Sequence, residues 1–166
     1  MYKHVRWMIR RDMPEVLEIE SQSFEFPWDE DTFMGALRQR NCIGMVVEMD
    51  EVVAGFMIYE LHKSRLHVLN FAVHPDYRRQ GVGQTMTNKL ISKLTSQRRT
   101  RILLEVKETN VEAQQFFKAQ GFRAVQILKD FYEERAEDAY LMEYRYQGQS
   151  DFSLPQGSRF QMLRGV

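Results

Sequence analysis

Apolar positions along the chain switch between a period near two and a period near 3.6, and the switches mark out the elements. Val5 to Arg10 mixes β-branched and aromatic residues and reads as a short strand. Asp12 can cap a helix with Pro14 in its first turn, and Val16, Leu17 and Ile19 carry that helix toward Ser23. Phe24 to Pro27 is a break. Asp29 then caps a second helix with Phe33, Met34 and Leu37 on one face. Ile43 to Met49 and Val52 to Leu61 read as a hairpin turning at Asp50-Glu51. Leu66 to Val73 is a further strand, ended by His74-Pro75-Asp76 because proline cannot donate to a ladder. Val82, Met86, Leu90, Ile91 and Leu94 fall on one face of a helix predicted from Val82 to Ser96. Ile102 to Val106 is a short strand, and Asn110 to Gln120 a helix stopped by Gly121. Phe122 to Leu128 and Ala139 to Tyr146 are the last strands, joined by a polar loop from Lys129 to Asp138.

This order predicts a mixed α/β layer, with a parallel pair of strands around the helix that starts at Val82. The 166 residues fit one domain, and a hydrophobic fraction of 43% is enough for a core at this size. Lys plus Arg equals Asp plus Glu at 23 each, which gives no electrostatic reason to expect direct nucleic-acid or membrane binding. The single cysteine, Cys42, can form neither an internal disulfide nor a cysteine zinc cluster, and no metal is expected. Met1 to Arg11 lacks the apolar stretch of a signal peptide, and no apolar run nears the roughly 20 residues that span a bilayer, so a soluble cytoplasmic protein is expected.

The candidate chemistry starts at Arg78-Arg79-Gln80-Gly81-Val82-Gly83, between a strand and a helix. A helix start offers unpaired N–H groups and the positive end of the macrodipole. Gly81 and Gly83 let the backbone approach a ligand, and Arg78 and Arg79 add positive charge, so the segment reads as a seat for a pyrophosphate. Gln84-Thr85 follows Gly83 in place of the Lys-Ser/Thr of a nucleotide-hydrolase loop, and the three-glycine spacing of a dinucleotide fold is missing. The plain alternative is a turn with solvated arginines.

With these residues the chain resembles the GNAT superfamily of N-acetyltransferases. Arg78, Gly81 and Gly83 match its Arg/Gln-x-x-Gly-x-Gly/Ala signature. So do the preceding Asn70 to Pro75, the stretch from Leu104 to Asn110, Ala113, and Gln120-Gly121-Phe122. Ile19-Glu20 with Phe24, Pro27-Trp28, Phe131-Tyr132 and the run from Glu137 to Met142 point to the branch that acetylates ribosomal-protein N-terminal alanines. The resemblance implies the GNAT fold, a mixed central sheet of about six to seven strands flanked by about four helices. The domain would span residues 1–146, with 147–166 as a tail that is disordered or ordered by a contact. It implies acetyl-CoA as co-substrate. Phe71, Ala72 and Val73 would offer backbone groups to the pantetheine arm. Arg78, Arg79, Gln80, Gly81, Val82, Gly83 and Gln84 would wrap the pyrophosphate, and Asn110 and Phe117 would line the cofactor from the last helix. Phe71 and Val73 are equally ordinary strand residues, and Asn110 a plain helix cap.

Acetyl transfer needs a neutral amine. An α-amino group, with a reference pKa of about 7.7–8.0 against about 10.4 for lysine, needs only a modest base. Glu105 is the candidate: among Ile102, Leu103, Leu104 and Val106 a carboxylate is out of pattern, partial burial would raise its pKa, and the resemblance assigns it the same role. A salt-bridged structural glutamate is the alternative. The family's tyrosine acid is replaced by Phe117, which has no proton to give. Releasing a thiolate of pKa about 8.5 near neutral pH costs about 2 kcal/mol, roughly a 30-fold handicap. Tyr132 or Tyr140 is the alternative candidate for that proton, with packing or substrate-lining as the plain reading of each. Trp28, Phe131 and Tyr132 lie in the two loops that flank the peptide in this family, beside acids that suit a positively charged N-terminus. The leading expectation is therefore acetylation of a protein N-terminal peptide, that of a ribosomal protein. A small amine or lysine substrate, and an acetyl-CoA-binding module with little catalysis, stay open, as does the oligomeric state.

Overall fold

A computed structural model of the chain describes residues 2–132 and 137–148. Among the described residues the alternating segments assemble into one sheet of seven strands: β1 (Lys3–Trp7), β2 (Cys42–Met49), β3 (Val52–Leu61), β4 (Arg65–Val73), β5 (Arg101–Lys107), β6 (Arg123–Tyr132) and β7 (Glu137–Arg145). Four helices among the described residues flank it: α1 (Met13–Ser23), α2 (Glu30–Leu37), α3 (Val82–Ile91) and α4 (Val111–Ala119). The spatial order is β1-β2-β3-β4-β5-β7-β6, and β4 with β5 is the parallel pair among antiparallel neighbours. The expected mixed sheet with four helices is the one observed. No helix among the described residues is long and apolar enough to cross a membrane.

Each face of the sheet carries its own core. Met86 and Leu90 of α3 and Phe117 of α4 pack with Met57, Leu66, Ile102 and Leu104 on one face. Val16 and Ile19 of α1 and Phe33 of α2 pack with Val46, Phe56, Ile58 and Ala72 on the other. Val16, Ile19 and Phe33 are fully buried, and each contributes roughly 1.5–3 kcal/mol relative to exposure. Burial on this scale, rather than intrinsic propensity, holds helices as short as α1 and α2.

One irregularity decides where the site forms. Ile58 pairs with Asn70 and Tyr59 with Val68, so Leu69 is an extra residue bulged out of β4. A bulge shifts the two-residue alternation by one. Before it, Leu66 and Val68 face the α3–α4 core; after it, Phe71 and Val73 take that side while Asn70 and Ala72 turn to α1. The parallel ladder with β5 runs from Arg65–Arg101 to His67–Leu103, just short of the bulge. Beyond it β4 and β5 face each other across a cleft.

Several element bounds differ from the sequence expectation. β1 is Lys3–Trp7 rather than Val5–Arg10, because the Asp12 carboxylate takes the Ile9 N–H at 2.8 Å and the Arg6 guanidinium at 2.8 Å through both oxygens, winding Arg10–Asp12 into a 3-10 turn. α3 stops at Ile91 instead of Ser96: Lys93 and Leu94 donate to Leu90 and Ile91, and Leu94 is buried from this tighter turn. β6 runs to Tyr132 and β7 begins at Glu137, so the expected loop from Lys129 to Asp138 is largely strand, and Phe131 and Tyr132 belong to β6. Residues 133–136, and 149–166 of the expected tail, lie outside the described residues.

Asp12 is 2% exposed. Burial alone would lift its carboxyl, but the Arg6 hydrogen bond and the Ile9 N–H outweigh it and hold it below the usual carboxylate range. A carboxyl depressed on folding adds stability above its unfolded pKa of about 3.9 and loses it as the pH falls through the folded value. Asp12→Asn should therefore cost about 2 kcal/mol in urea unfolding at pH 7, the scale of charge-assisted hydrogen bonds. The gap to wild type should close as the pH is lowered past the folded pKa; a gap independent of pH would show that charge plays no part.

Candidate active site

The cleft between the parted strands encloses about 410 Å³. β4 from Val68 to Phe71 and β5 from Leu104 to Lys107 form its walls, with α1, the 24–28 segment and α4 around them. Of the residues singled out from sequence, Phe71, Glu105, Asn110, Phe117 and Trp28 line it together. Ala72, Val73, the loop from Arg78 to Gln84, and Phe131 do not. The side chain of Tyr132 lies outside the described residues.

Glu105 sits on a strand whose burial alternates strictly. Ile102, Leu104 and Val106 point into the α3–α4 core, and Arg101, Leu103, Glu105 and Lys107 form the other face. The carboxylate is thus in pattern for a two-faced strand, and the apolar residues beside it in sequence are not its surroundings in space. Its partner is His67, whose Nε2 lies 2.9 Å from both Glu105 oxygens. That hydrogen bond raises the His67 pKa above the ordinary imidazole value; burial opposes it, and Glu60 on β3 adds to it. Sequence reasoning missed His67. The signal was available only through the parallel register that sets it opposite Leu103.

A residue that the sequence marked only as part of a motif builds the cleft wall. Glu20, 2% exposed, accepts from the Trp28 backbone N–H at 2.9 Å and the Asn70 side-chain amide at 2.8 Å. Burial raises its pKa, against the pull of these two donors. Three elements, α1, the 24–28 segment and β4, are thereby tied at one carboxylate. Trp28 also stacks edge-on against Phe33 at 5.1 Å, so it both staples α2 and faces the cleft.

Among the described residues, the inner edges of β4 and β5 beyond the ladder have no partner strand, which suits an extended chain carrying amides. The backbone groups assigned to that chain have side-chain partners here. The Phe71 N–H donates to Asn70 Oδ1 at 2.8 Å, and the Val73 carbonyl accepts from Arg78 Nε at 3.1 Å. Arg78 also reaches Ser23 Oγ at 3.4 Å, so its guanidinium joins β4 to α1. Arg79 and Gln80 are exposed, and Gln80 Nε2 donates to the Asp76 carbonyl at 3.2 Å.

Gly81 caps α3 in the left-handed region at φ 83°, preceded by Arg79 at φ 62°. The first helical hydrogen bond comes from Thr85 N to the Gly81 carbonyl, so the N–H groups of Val82, Gly83 and Gln84 precede it and suit a pyrophosphate. Gly83 has a packing reason too: a Cβ there would meet the Phe116 ring at 2.8 Å. Asn110 caps α4 by accepting from Ala113 N at 3.1 Å while lining the cleft. Phe117 is buried, edge-on to Phe71 at 5.1 Å and to Phe122 at 5.3 Å. Tyr140 lines a separate hollow under α4 with Phe122 and Met142, away from Glu105.

The acetyltransferase (GNAT) family model matches residues 3–122. The chain belongs to the GNAT family of acetyltransferases. The enzyme is 30% identical over 133 residues to the ribosomal protein bS18-alanine N-acetyltransferase of Salmonella typhimurium, covering 79% of this chain and 89% of that protein. A Bacillus subtilis protein named provisionally for the same activity is 32% identical over 139 residues, 83% of this chain and 92% of its own. Among solved structures, the ribosomal-protein-S18-alanine N-acetyltransferase of Escherichia coli superposes with a TM-score of 0.78 at 26% identity, covering 89% of this chain and 97% of that one. This GNAT protein is an N-acetyltransferase similar to that group.

Glu20→Gln keeps the shape of the wall but turns one acceptor into a donor, leaving Trp28 N–H or Asn70 unpaired. It should cost about 1–3 kcal/mol in chemical unfolding. In a Trp7→Phe background, Trp28 emission should shift to the red as the 24–28 segment loosens; unchanged emission would show that Glu20 does not hold it.

Proposed function

We propose that the enzyme transfers the acetyl group of acetyl-CoA to the α-amine of a protein N-terminus, that of a ribosomal protein, with Glu105 as general base. The observation that carries this reading is the Glu105 carboxylate in a cleft open between β4 and β5, with Trp28 lining the same cleft. Relatives named for N-terminal alanine acetylation, similar along most of the chain, support the choice of amine.

The acetyl donor supplies an activated thioester. The unpartnered edges of β4 and β5 would hold its pantetheine arm through the backbone at Phe71, Ala72 and Val73, and Arg78 would have to release the Val73 carbonyl to the ligand. Arg79 to Gln84 would seat the pyrophosphate, the N–H groups of α3 facing it. Asn110 and Phe117 close the far side of the cleft. On the substrate side, Trp28 and the exposed Phe24 and Phe26 offer apolar surface to the first residues of a peptide. Phe131 and Tyr132, at the end of β6, would meet residues further along it.

Glu105 takes the proton that the amine must lose. At neutral pH an α-amine is already partly neutral, so the demand on the base is modest. Phe117 gives the leaving sulfur no proton, and the Phe71–Phe116–Phe117–Phe122 rings pack that position with carbon.

Mass spectrometry of peptides incubated with enzyme and acetyl-CoA, beginning with Ala-initiated ribosomal N-termini, tests the substrate class. A polyamine and aminoglycoside panel run in parallel should stay unmodified; acetylation confined to that panel would move the assignment to small amines. Glu105→Gln should lower kcat by about 100-fold or more, within the range for loss of a general base. Full turnover in that variant would remove Glu105 from the role.

A further inference from the structure

We propose that Glu60, His62 and His67 form a binding site for a divalent transition-metal ion of the zinc class, tied to the cleft through the hydrogen bond from His67 to Glu105. The site goes beyond acetyl transfer and stands whether or not Glu105 is the base. One donor atom from each of the three residues lies within 4.8 Å of the other two, and among the described residues this is the one such group. Strand register builds it. Glu60 on β3 pairs directly with His67 on β4, so both side chains leave the sheet on the same face. His62 follows in the turn between the two strands. Its N–H donates to the Arg65 carbonyl at 2.9 Å, and its carbonyl accepts from Arg99 Nε at 2.7 Å. The backbone beneath all three donors is therefore fixed before any ion arrives. Glu60 Oε1 is 2.8 Å from His62 Nε2 and 3.6 Å from His67 Nδ1. Two ligands of a tetrahedral ion, each bound at about 2.0–2.1 Å, stand roughly 3.4 Å apart, so small side-chain rotations bring these atoms to coordination distance.

The orientation of His67 separates a metal site from a plain ion-pair cluster. An ionised carboxylate can only accept, so the Nε2 that faces both Glu105 oxygens at 2.9 Å carries the hydrogen. Nδ1 is left facing Glu60 at a distance too long for a hydrogen bond. A metal-bound histidine characteristically donates its other ring N–H to a carboxylate, which fixes the tautomer and makes the ligating nitrogen more basic. Glu105 behind His67, with Glu60 and His62 in front, has that arrangement. Two imidazole nitrogens and one carboxylate oxygen suit zinc and its neighbours rather than magnesium or calcium, which take oxygen ligands. The site needs no cysteine, unlike the clusters that the lone Cys42 excludes. Each of the three side chains is about a quarter to a third exposed, so an ion can reach them from solvent and keep a water in its fourth position. An ion on Nδ1 leaves the Nε2 hydrogen on Glu105, so metal and cleft share one hydrogen bond and occupancy of either is felt by the other.

The test titrates untagged protein with Zn2+ against a chromophoric chelator, at slightly alkaline pH because protons compete for the same nitrogens. Wild type should bind one zinc per chain with micromolar or tighter affinity, and millimolar Mg2+ or Ca2+ should not displace it. Glu105→Gln removes no ligand, yet should weaken binding by about 10- to 100-fold, the loss typical when the carboxylate behind a ligating histidine is removed. His62→Ala and His67→Ala should weaken it further. His4→Gln, on β1 at the edge of the sheet, should bind as wild type. Cobalt(II) in place of zinc should show the visible absorption of a four-coordinate ion, and His62→Ala should lose it. Wild type that binds no zinc at micromolar concentration overturns the site. So does wild-type affinity in His62→Ala or His67→Ala, which would put the ion elsewhere. Loss in those variants with unchanged affinity in Glu105→Gln overturns the link to the cleft. If His67→Ala fails to fold, His62→Ala decides, since His62 lies in the turn outside the strand ladders.

Discussion

The parting of β4 from β5 is the constraint on which the rest of this molecule depends. Two parallel strands in mid-sheet would ordinarily pair along their whole length, since each unmade backbone hydrogen bond in a buried setting is costly. Here the ladder stops at His67 and Leu103, and Leu69 bulges two residues later. Among the described residues no other strand repairs the opened edges, and side chains reach in instead: Asn70 to the Phe71 N–H and Arg78 to the Val73 carbonyl. These are contacts that an incoming chain of amides could replace.

The same bulge sets the polarity of the cleft. By shifting the alternation of β4 it turns Asn70 toward α1, where Glu20 waits as a buried acceptor, and leaves Phe71 with the aromatic cluster around Phe117. The cleft is thus lined by carboxylates and amides on one side and by phenyl rings on another. Carbon surrounds the position where this chain departs from the family's tyrosine. The buried Glu20 carboxylate, holding the 24–28 segment and β4 at once, keeps the polar wall in register with Glu105.

Several elements were legible in the chain because their signals are local. The caps at Asp29 and Asn110, the glycine loop at the start of α3 and the order of strands and helices each depend on residues a few positions apart, where side-chain and backbone chemistry act directly. The bounds that moved did so through distant partners. Arg6 and Asp12 shortened β1, and pairing with β7 drew Phe131 and Tyr132 out of a polar loop into β6.

Sequence alone carried the family signature: the Arg78-to-Gly83 segment before α3, a glutamate in β5 and a phenylalanine at 117 can be read where they stand. Only the tertiary structure decided what surrounds that glutamate. Leu104 and Val106 flank it in sequence, yet a strand sends neighbours to opposite faces, and the carboxylate meets His67, 38 positions earlier. The meeting is made by strand register across the sheet, and no property of either residue alone encodes it.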